Sequence, residues 1–115
     1  MKRSIMFLED ILDAMNRIQE YIRGVDYDSF LNNGMMIDAV IRNLEVIGEA
    51  SRNTSDDIRL RYPEIPWRSM IGLRNILIHE YFGIDESIVW EVITKNLGEM
   101  RPHLLKAIQE EGDTT

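Results

Sequence analysis

Apolar residues recur at steps of three and four along most of the chain, which is the spacing of one face of an α-helix. A first amphipathic helix is predicted from Ser4 to Arg23, with Gly24 as its stop. A second is predicted from about Ser29 to Arg52, although Gly34 weakens its start. The apolar faces of these two helices comprise Leu8, Ile11, Leu12, Met15, Ile18, Ile22, Ile37, Val40, Ile41, Leu44, Ile47 and Ala50.

The second half of the chain repeats the helical pattern in shorter pieces. Residues 55–62 predict a short connecting helix, and residues 66–83 predict a helix with proline at its first position. Residues 85–108 predict a last helix, in which Gly98 and Pro102 indicate a kink or break.

No segment shows the alternation and turn signals of a β-hairpin. The predicted fold is therefore all-α, a compact up-down bundle of four main helices plus a short connecting helix. We expect one domain over residues 1–110, followed by a disordered tail at 111–115.

Composition excludes several kinds of site. The chain has no cysteine and two histidines, so neither a disulfide framework nor a thiolate or histidine-rich metal site is expected. We accordingly predict no metal and no cofactor. The N-terminal apolar run is interrupted by Glu9, Asp10 and Asp13, and no stretch approaches the length of a membrane span. A cytoplasmic protein is expected.

The charge of the chain is unevenly distributed. The formal net charge of −7 counts against broad nucleic-acid binding. Residues 52–79, however, hold five basic and three acidic side chains, and they form the net-positive stretch of the chain. This stretch is either a substrate-approach path for phosphate or an ordinary solvated surface of short helices. Its arginines before the motif described next are Arg52, Arg59, Arg61 and Arg68.

Residues 74–81, RNILIHEY, place four chemically capable side chains close together: Arg74, Asn75, His79 and Tyr81. A histidine can transfer a proton near neutral pH, and an arginine can stabilise an anionic phosphate. Together they suffice for metal-free RNA cleavage, in which the ribose 2′-hydroxyl attacks the adjacent phosphorus. On one straight helix Arg74 and His79 differ by about 140°, so joint action needs the helix to end near His79 or needs a second copy of the chain.

A structural interpretation of the motif stays open. A histidine near a helix C-terminus suits the helix dipole when it is charged, and Tyr81 could simply pack on the last turn. The other histidine, His103, has no comparable setting, and a structural role is favoured there.

The run GLRNILIHEYFGID resembles the signature of the HEPN superfamily, in the Arg-x4-His-x-Tyr form found in HepT-like toxins. The stretches AVIRNLEVIGEA and RYPEIPWRSMIGLRN, and the Ile-Val-Trp-Glu run at 88–91, are also similar to their counterparts in that family. The resemblance covers most of residues 4 to 108.

The resemblance implies a dimeric α-helical bundle with metal-independent endoribonuclease activity on RNA. It further implies a toxin paired with a nucleotidyltransferase antitoxin, MntA, that transfers AMP to the motif tyrosine. By position, Arg74 and His79 would be catalytic, Asn75 would support them, and Tyr81 would be the AMP acceptor.

Two rival hypotheses remain. The chain could be a non-catalytic helical subunit that binds substrate or acts as a scaffold in a two-component nucleotidyltransferase, which the acidic net charge favours. Alternatively, it could be a dimeric scaffold whose motif seals an interface.

Overall fold

Seven α-helices follow one another in a computed structural model that describes residues 2–79 and 85–113, with side chains described at 5–77 and 85–113. Their bounds are α1 Lys2–Tyr21, α2 Tyr27–Leu31, α3 Gly34–Asn53, α4 Asp56–Arg61, α5 Trp67–His79, α6 Glu86–Glu91 and α7 Leu97–Asp113. A π-helical turn, Val92–Asn96, joins α6 to α7 without a break, so these three pieces form one long helical stretch.

Capping side chains set where several helices begin. In each case an Asp, Asn or Ser oxygen accepts a hydrogen bond from a backbone N–H two or three residues further on, which satisfies a donor that the helix itself cannot. These residues are Asp26 for α2, Asn33 for α3, Ser55 for α4 and Asp85 for α6. The prediction of one helix starting near Ser29 is wrong, because Asn33 begins a new helix at Gly34 and leaves Tyr27–Leu31 as a separate turn.

The irregularity predicted in the last helix exists, but it lies upstream of the residues that suggested it. The backbone widens to a π-helical turn at Val92–Asn96, whereas Gly98 and Pro102 both lie inside the continuous helix α7. Pro102 removes one backbone donor. The helix continues past it because Leu97, Met100 and Leu104 hold this segment in the core.

The core lies where the long helices meet. Helix α1 packs on α3 and on α7, and α3 packs in turn on α5. The residues at the centre are fully buried aliphatic side chains from α1, α3 and α7, and they include Leu8, Ile11, Met15, Ile18, Val40 and Leu104. The all-α class and the compact arrangement of four long helical stretches are confirmed. Over the described ranges, two short helices connect them, α2 and α4, where the sequence predicted one.

The end of α7 is anchored to the middle of the chain. The carboxylate of Glu111 is 3% exposed and accepts hydrogen bonds from the Arg61 guanidinium at 2.9 and 3.0 Å and from the Tyr62 hydroxyl at 2.8 Å. Burial and these carboxylate contacts raise the pKa of Tyr62 well above its usual range. The prediction of disorder from residue 111 is therefore wrong for residues 111–113, while residues 114–115 lie outside the described part of the chain.

None of the helices in the described residues combines the length and apolarity needed to cross a membrane.

Candidate functional site

Helices α3 and α5 come closest at Gly48. A Cβ placed on Gly48 would lie 2.1 Å from Arg74 Cβ and 2.8 Å from the carbonyl oxygen of Met70. The Met70 oxygen is part of the backbone and Arg74 Cβ is bonded directly to it, so neither atom can move unless α5 moves. Only glycine permits this approach, and as a result the base of the Arg74 side chain is pressed against the backbone of α3.

The guanidinium of Arg74 is largely buried, and Glu49 and Asn75 lie beside it. Its side chain is 20% exposed, and its Nη2 lies 3.4 Å from Glu49 Oε1 on α3. Its Nη1 donates to Asn75 Oδ1 at 3.1 Å, and its Nε is buried with no hydrogen-bond partner. A direct charge-assisted hydrogen bond would be about 2.7–2.9 Å long, so the Glu49 contact is an ion pair of looser geometry. Each terminal nitrogen of the guanidinium carries two N–H donors, and the described contacts with Asn75 and Glu49 do not use all of them.

Glu49 stands between two arginines. Its Oε1 lies 3.4 Å from Arg74 and 3.7 Å from Arg52 Nη1, and this oxygen is buried with no hydrogen bond of its own. One turn earlier on α3, Glu45 Oε1 lies 3.9 Å from Arg42 Nη1. Helix α3 thus places two glutamates between two arginines along its face beside Arg74.

Arg42, Glu45, Glu49 and Arg74 line a cleft of about 370 Å³ between α1, α3 and α5. Protein sites that enclose small ligands start near this size. The cleft has both charged or polar and apolar lining residues, which are Phe7, Asp10, Arg42, Glu45, Val46, Glu49, Ala50, Asn53 and Arg74. It can therefore offer an anion a guanidinium together with nearby hydrogen-bonding groups.

The structure describes the side chains of some motif residues and not of others. Asn75 is exposed and next to Arg74, with its amide oxygen turned to the guanidinium. Helix α5 ends at His79, whose side chain lies outside the described residues, as does the whole of Tyr81. Along a regular helix the Arg74 and His79 backbones differ by about 7.5 Å in height and about 140° in direction. Both alternatives derived from the sequence, a site at the end of α5 and a site completed by a second copy, stay open.

Of the basic residues predicted to line the approach, only Arg52 is connected to Arg74, through Glu49. Arg59 pairs with Asp56 at 2.6 Å and, together with Arg68, lines a separate surface hollow. Arg61 is bound to Glu111.

Sequence reasoning named Arg52 but missed the charged residues of α3 that line the cleft, Arg42, Glu45 and Glu49. Together with Arg52 they form an Arg-x2-Glu-x3-Glu-x2-Arg pattern, and its steps of three and four keep charges on neighbouring faces of a helix. The pattern was available in the sequence, but it resembles an ordinary solvated helix face. Its connection to Arg74 requires the packing of α3 on α5.

Two further observations concern possible metal ligands and the second histidine of the chain. Within residues 2–79 and 85–113, no three His, Asp or Glu residues are grouped so as to hold a metal ion. His103 is exposed on α7 and takes no part in the cleft.

Comparison with known proteins gives consistent matches over most of the chain. The sequence model of a family described as "Ribonuclease HepT-like" matches residues 11–108. A protein of Methanocaldococcus jannaschii named "Putative RNase MJ1380" is 47% identical over 95 residues, covering 83% of this chain and 87% of the relative. A protein of Thermococcus cleftensis named "Probable ribonuclease HepT" is 42% identical over 102 residues, covering 88% and 93%. One of Caldanaerobacter subterraneus, "Putative RNase TTE0752", is 34% identical over 111 residues, covering 96% and 99%. No solved structure matches the chain.

Proposed function

Because the chain belongs to the HepT-like ribonuclease family, we propose that it is a metal-independent endoribonuclease that uses Arg74 and His79. The observation that supports this most directly is the state of Arg74. Its guanidinium lies at the wall of a cleft, is mostly withdrawn from water, and lies farther from the Glu49 carboxylate than a direct hydrogen bond would place it. A positive group held in this way interacts more strongly with a phosphate than one that is fully hydrated.

The proposed reaction needs only proton transfer and stabilisation of charge. The 2′-oxygen of a ribose forms a bond to the adjacent phosphorus, and the bond from phosphorus to the 5′-oxygen of the next nucleotide breaks. The 2′-hydroxyl loses its proton and the leaving 5′-oxygen gains one. His79 carries out one of these two proton transfers and solvent water the other, while Arg74 stabilises the additional negative charge on the phosphoryl oxygens. Asn75 restrains the Arg74 guanidinium through its amide oxygen. The products would be a 2′,3′-cyclic phosphate and a 5′-hydroxyl.

A homodimer is part of the proposal. The offset of about 140° between Arg74 and His79 on one helix disfavours convergence within a chain. A groove of about 510 Å³ lies beside the motif, lined mainly by apolar side chains that include Leu73, Ile76 and Val92. Ile76 is 49% exposed, and a second copy seated here would cover it. In that arrangement the two RNILIHEY segments would lie near one another.

The activity is tested on chain purified without any nucleotidyltransferase. We expect a labelled single-stranded RNA to be cut at a rate unchanged by excess chelator, with cyclic phosphate on the upstream product. A parallel Arg74→Ala preparation controls for contaminating nucleases. Activity that disappears in chelator and returns with a divalent ion would show that the metal-independent mechanism is wrong. If a broad panel of RNAs stays uncut, the chain is better described as the non-catalytic subunit of a nucleotidyltransferase.

The biological role we propose is that of a toxin held inactive by an MntA-like nucleotidyltransferase antitoxin. AMP transfer to Tyr81 would place bulk and a negative phosphodiester two residues from His79, where they would oppose binding of the RNA phosphate.

Co-expression with such a partner tests the modification. We expect mass spectrometry to find AMP on the peptide that contains Tyr81, and RNA cleavage to fall about tenfold or more, since like charges repel at the site. Tyr81→Phe should stay active beside the partner. Tyr21→Phe, which removes the hydroxyl of a partly exposed tyrosine on α1, should still be inactivated. AMP found on another peptide, or inactivation of Tyr81→Phe, would remove Tyr81 from this role.

A further inference from the structure

We infer that Glu49 is a positioning residue, which holds the guanidinium of Arg74 at the wall of the cleft so that it can receive a phosphate. This inference rests on the proposed function, because it assigns Glu49 a task in the reaction that Arg74 is proposed to assist. Glu49 does not itself face the reacting atoms in this scheme, and it acts only through Arg74.

Two adjacent residues of α3 restrain Arg74 at both ends of its side chain. Gly48 admits the Arg74 Cβ so closely that the base of the side chain has no room to shift toward α3. Glu49 then places Oε1 3.4 Å from the Arg74 Nη2 at the far end. An arginine has several rotatable bonds, and fixing both ends before substrate arrives lowers the entropy lost on binding.

The contact is suited to positioning rather than to neutralising Arg74. Glu49 Oε1 is also 3.7 Å from Arg52, so its negative charge is shared between two arginines. At 3.4 Å the pair lacks hydrogen-bond geometry, so it does not occupy Arg74 Nη2 as a close bidentate pair would. A phosphate can thus bind the terminal nitrogens of Arg74 while Glu49 stays in place.

Glu20 provides a matched control for Glu49. It lies on α1, outside the set of residues that line the cleft, and its carboxylate pairs with Arg23 at 2.7 Å. Glu49→Gln and Glu20→Gln therefore change the net charge of the chain by the same amount, and each removes a carboxylate from an ion pair with an arginine. Only the first removes the ion pair with Arg74.

The experiment compares these two variants in the wild-type background and in an Arg74→Ala background. We expect Glu49→Gln to lower kcat/KM for RNA about tenfold, because misplacing a group that contacts the reacting phosphate lowers the rate, while Glu20→Gln stays within about twofold of wild type. In the Arg74→Ala background Glu49→Gln should cause no further loss, because a residue that acts through Arg74 has nothing left to position. Equal effects of the two glutamine variants, or an unchanged tenfold loss without Arg74, would overturn the inference.

A second measurement does not depend on activity. NMR relaxation of the Arg74 Nε–H group reports how rigidly the guanidinium is held. We expect Glu49→Gln to lower its order parameter and Glu20→Gln to leave it unchanged. An unchanged order parameter in Glu49→Gln would show that Glu49 does not hold the guanidinium. A wild-type chain that does not cut RNA, or an Arg74→Ala chain as active as wild type, would instead overturn the proposed function and with it any role of Glu49 in cleavage.

Discussion

Replacing Arg74 or His79 with alanine will lower the rate of RNA cleavage by roughly 100-fold or more, as expected when an anion-stabilising group or an acid/base is removed. Single-turnover cleavage of a labelled RNA in chelator measures the rate. Circular dichroism and thermal unfolding measure whether each variant keeps its fold. Either variant cleaving at the wild-type rate would remove that residue from the site.

The chain offers a matched control for each variant. His103→Ala removes the other histidine, which is exposed on α7, and Arg23→Ala removes an exposed arginine that pairs only with its neighbour Glu20 among the described contacts. Both should cleave RNA within about twofold of wild type, since surface changes of this kind have small effects. A large loss in either control would show that the assay responds to overall charge rather than to the site.

Mixing the two inactive variants extends the experiment to the dimer. If one site takes its arginine and histidine from different chains, a mixed dimer of Arg74→Ala and His79→Ala chains holds one intact site, and activity should partly return. Mixed dimers that form but stay inactive would contradict the cross-chain arrangement.

Replacing Gly48 with alanine will destabilise the protein by about 3 kcal/mol, although the same change in an exposed helix normally stabilises by about 1 kcal/mol. The added methyl would lie 2.1 Å from Arg74 Cβ and 2.8 Å from the Met70 carbonyl oxygen, so α3 and α5 would have to separate along their contact. Urea unfolding with a fluorescence or circular-dichroism readout measures the change in the free energy of unfolding.

Gly98 is the comparison for this prediction, because it is exposed on α7 and a Cβ there meets nothing within 4 Å. Gly98→Ala should be as stable as wild type or more stable, by up to about 1 kcal/mol. A Gly48→Ala chain that gains stability in the same way would show that α3 and α5 do not meet as closely as described. Where Gly48→Ala does fold, we also expect it to lose RNA cleavage, because the base of Arg74 must move.

The two errors in the predicted helices have specific causes. The helix is interrupted at Asn33 because the side chain of Asn33 accepts a hydrogen bond from a backbone N–H of α3 and so caps a new helix. The spacing of apolar residues on either side of Asn33 does not indicate this cap. The ordered end of α7 depends on Glu111, whose partners Arg61 and Tyr62 lie about 50 residues earlier. A short polar segment ending in EEGDTT has the composition of a disordered tail, and a distant ion pair can still order part of it.

The contacts of Arg74 were not predicted from the sequence either. Arg74 and Asn75 are neighbours in the chain, but side chains at adjacent helical positions do not normally face each other, so adjacency alone does not predict their hydrogen bond. The contact between Glu49 and Arg74 could not be predicted from the sequence. Glu49 and Arg52 are three residues apart, and this spacing predicts only an ion pair within one helix.

The sequence by itself determined the helical class, the positions of the main apolar faces and the Arg-x4-His-x-Tyr motif, because these depend on residue types at short spacings. Only the tertiary structure decided that Gly48 lies against the base of Arg74, that Glu49 lies beside its guanidinium, and that Arg59, Arg61 and Arg68 lie elsewhere. The physical reason is that contacts between helices depend on how two faces are rotated and how closely they approach. Those quantities come from packing the whole core, and periodicity within one helix leaves them undetermined.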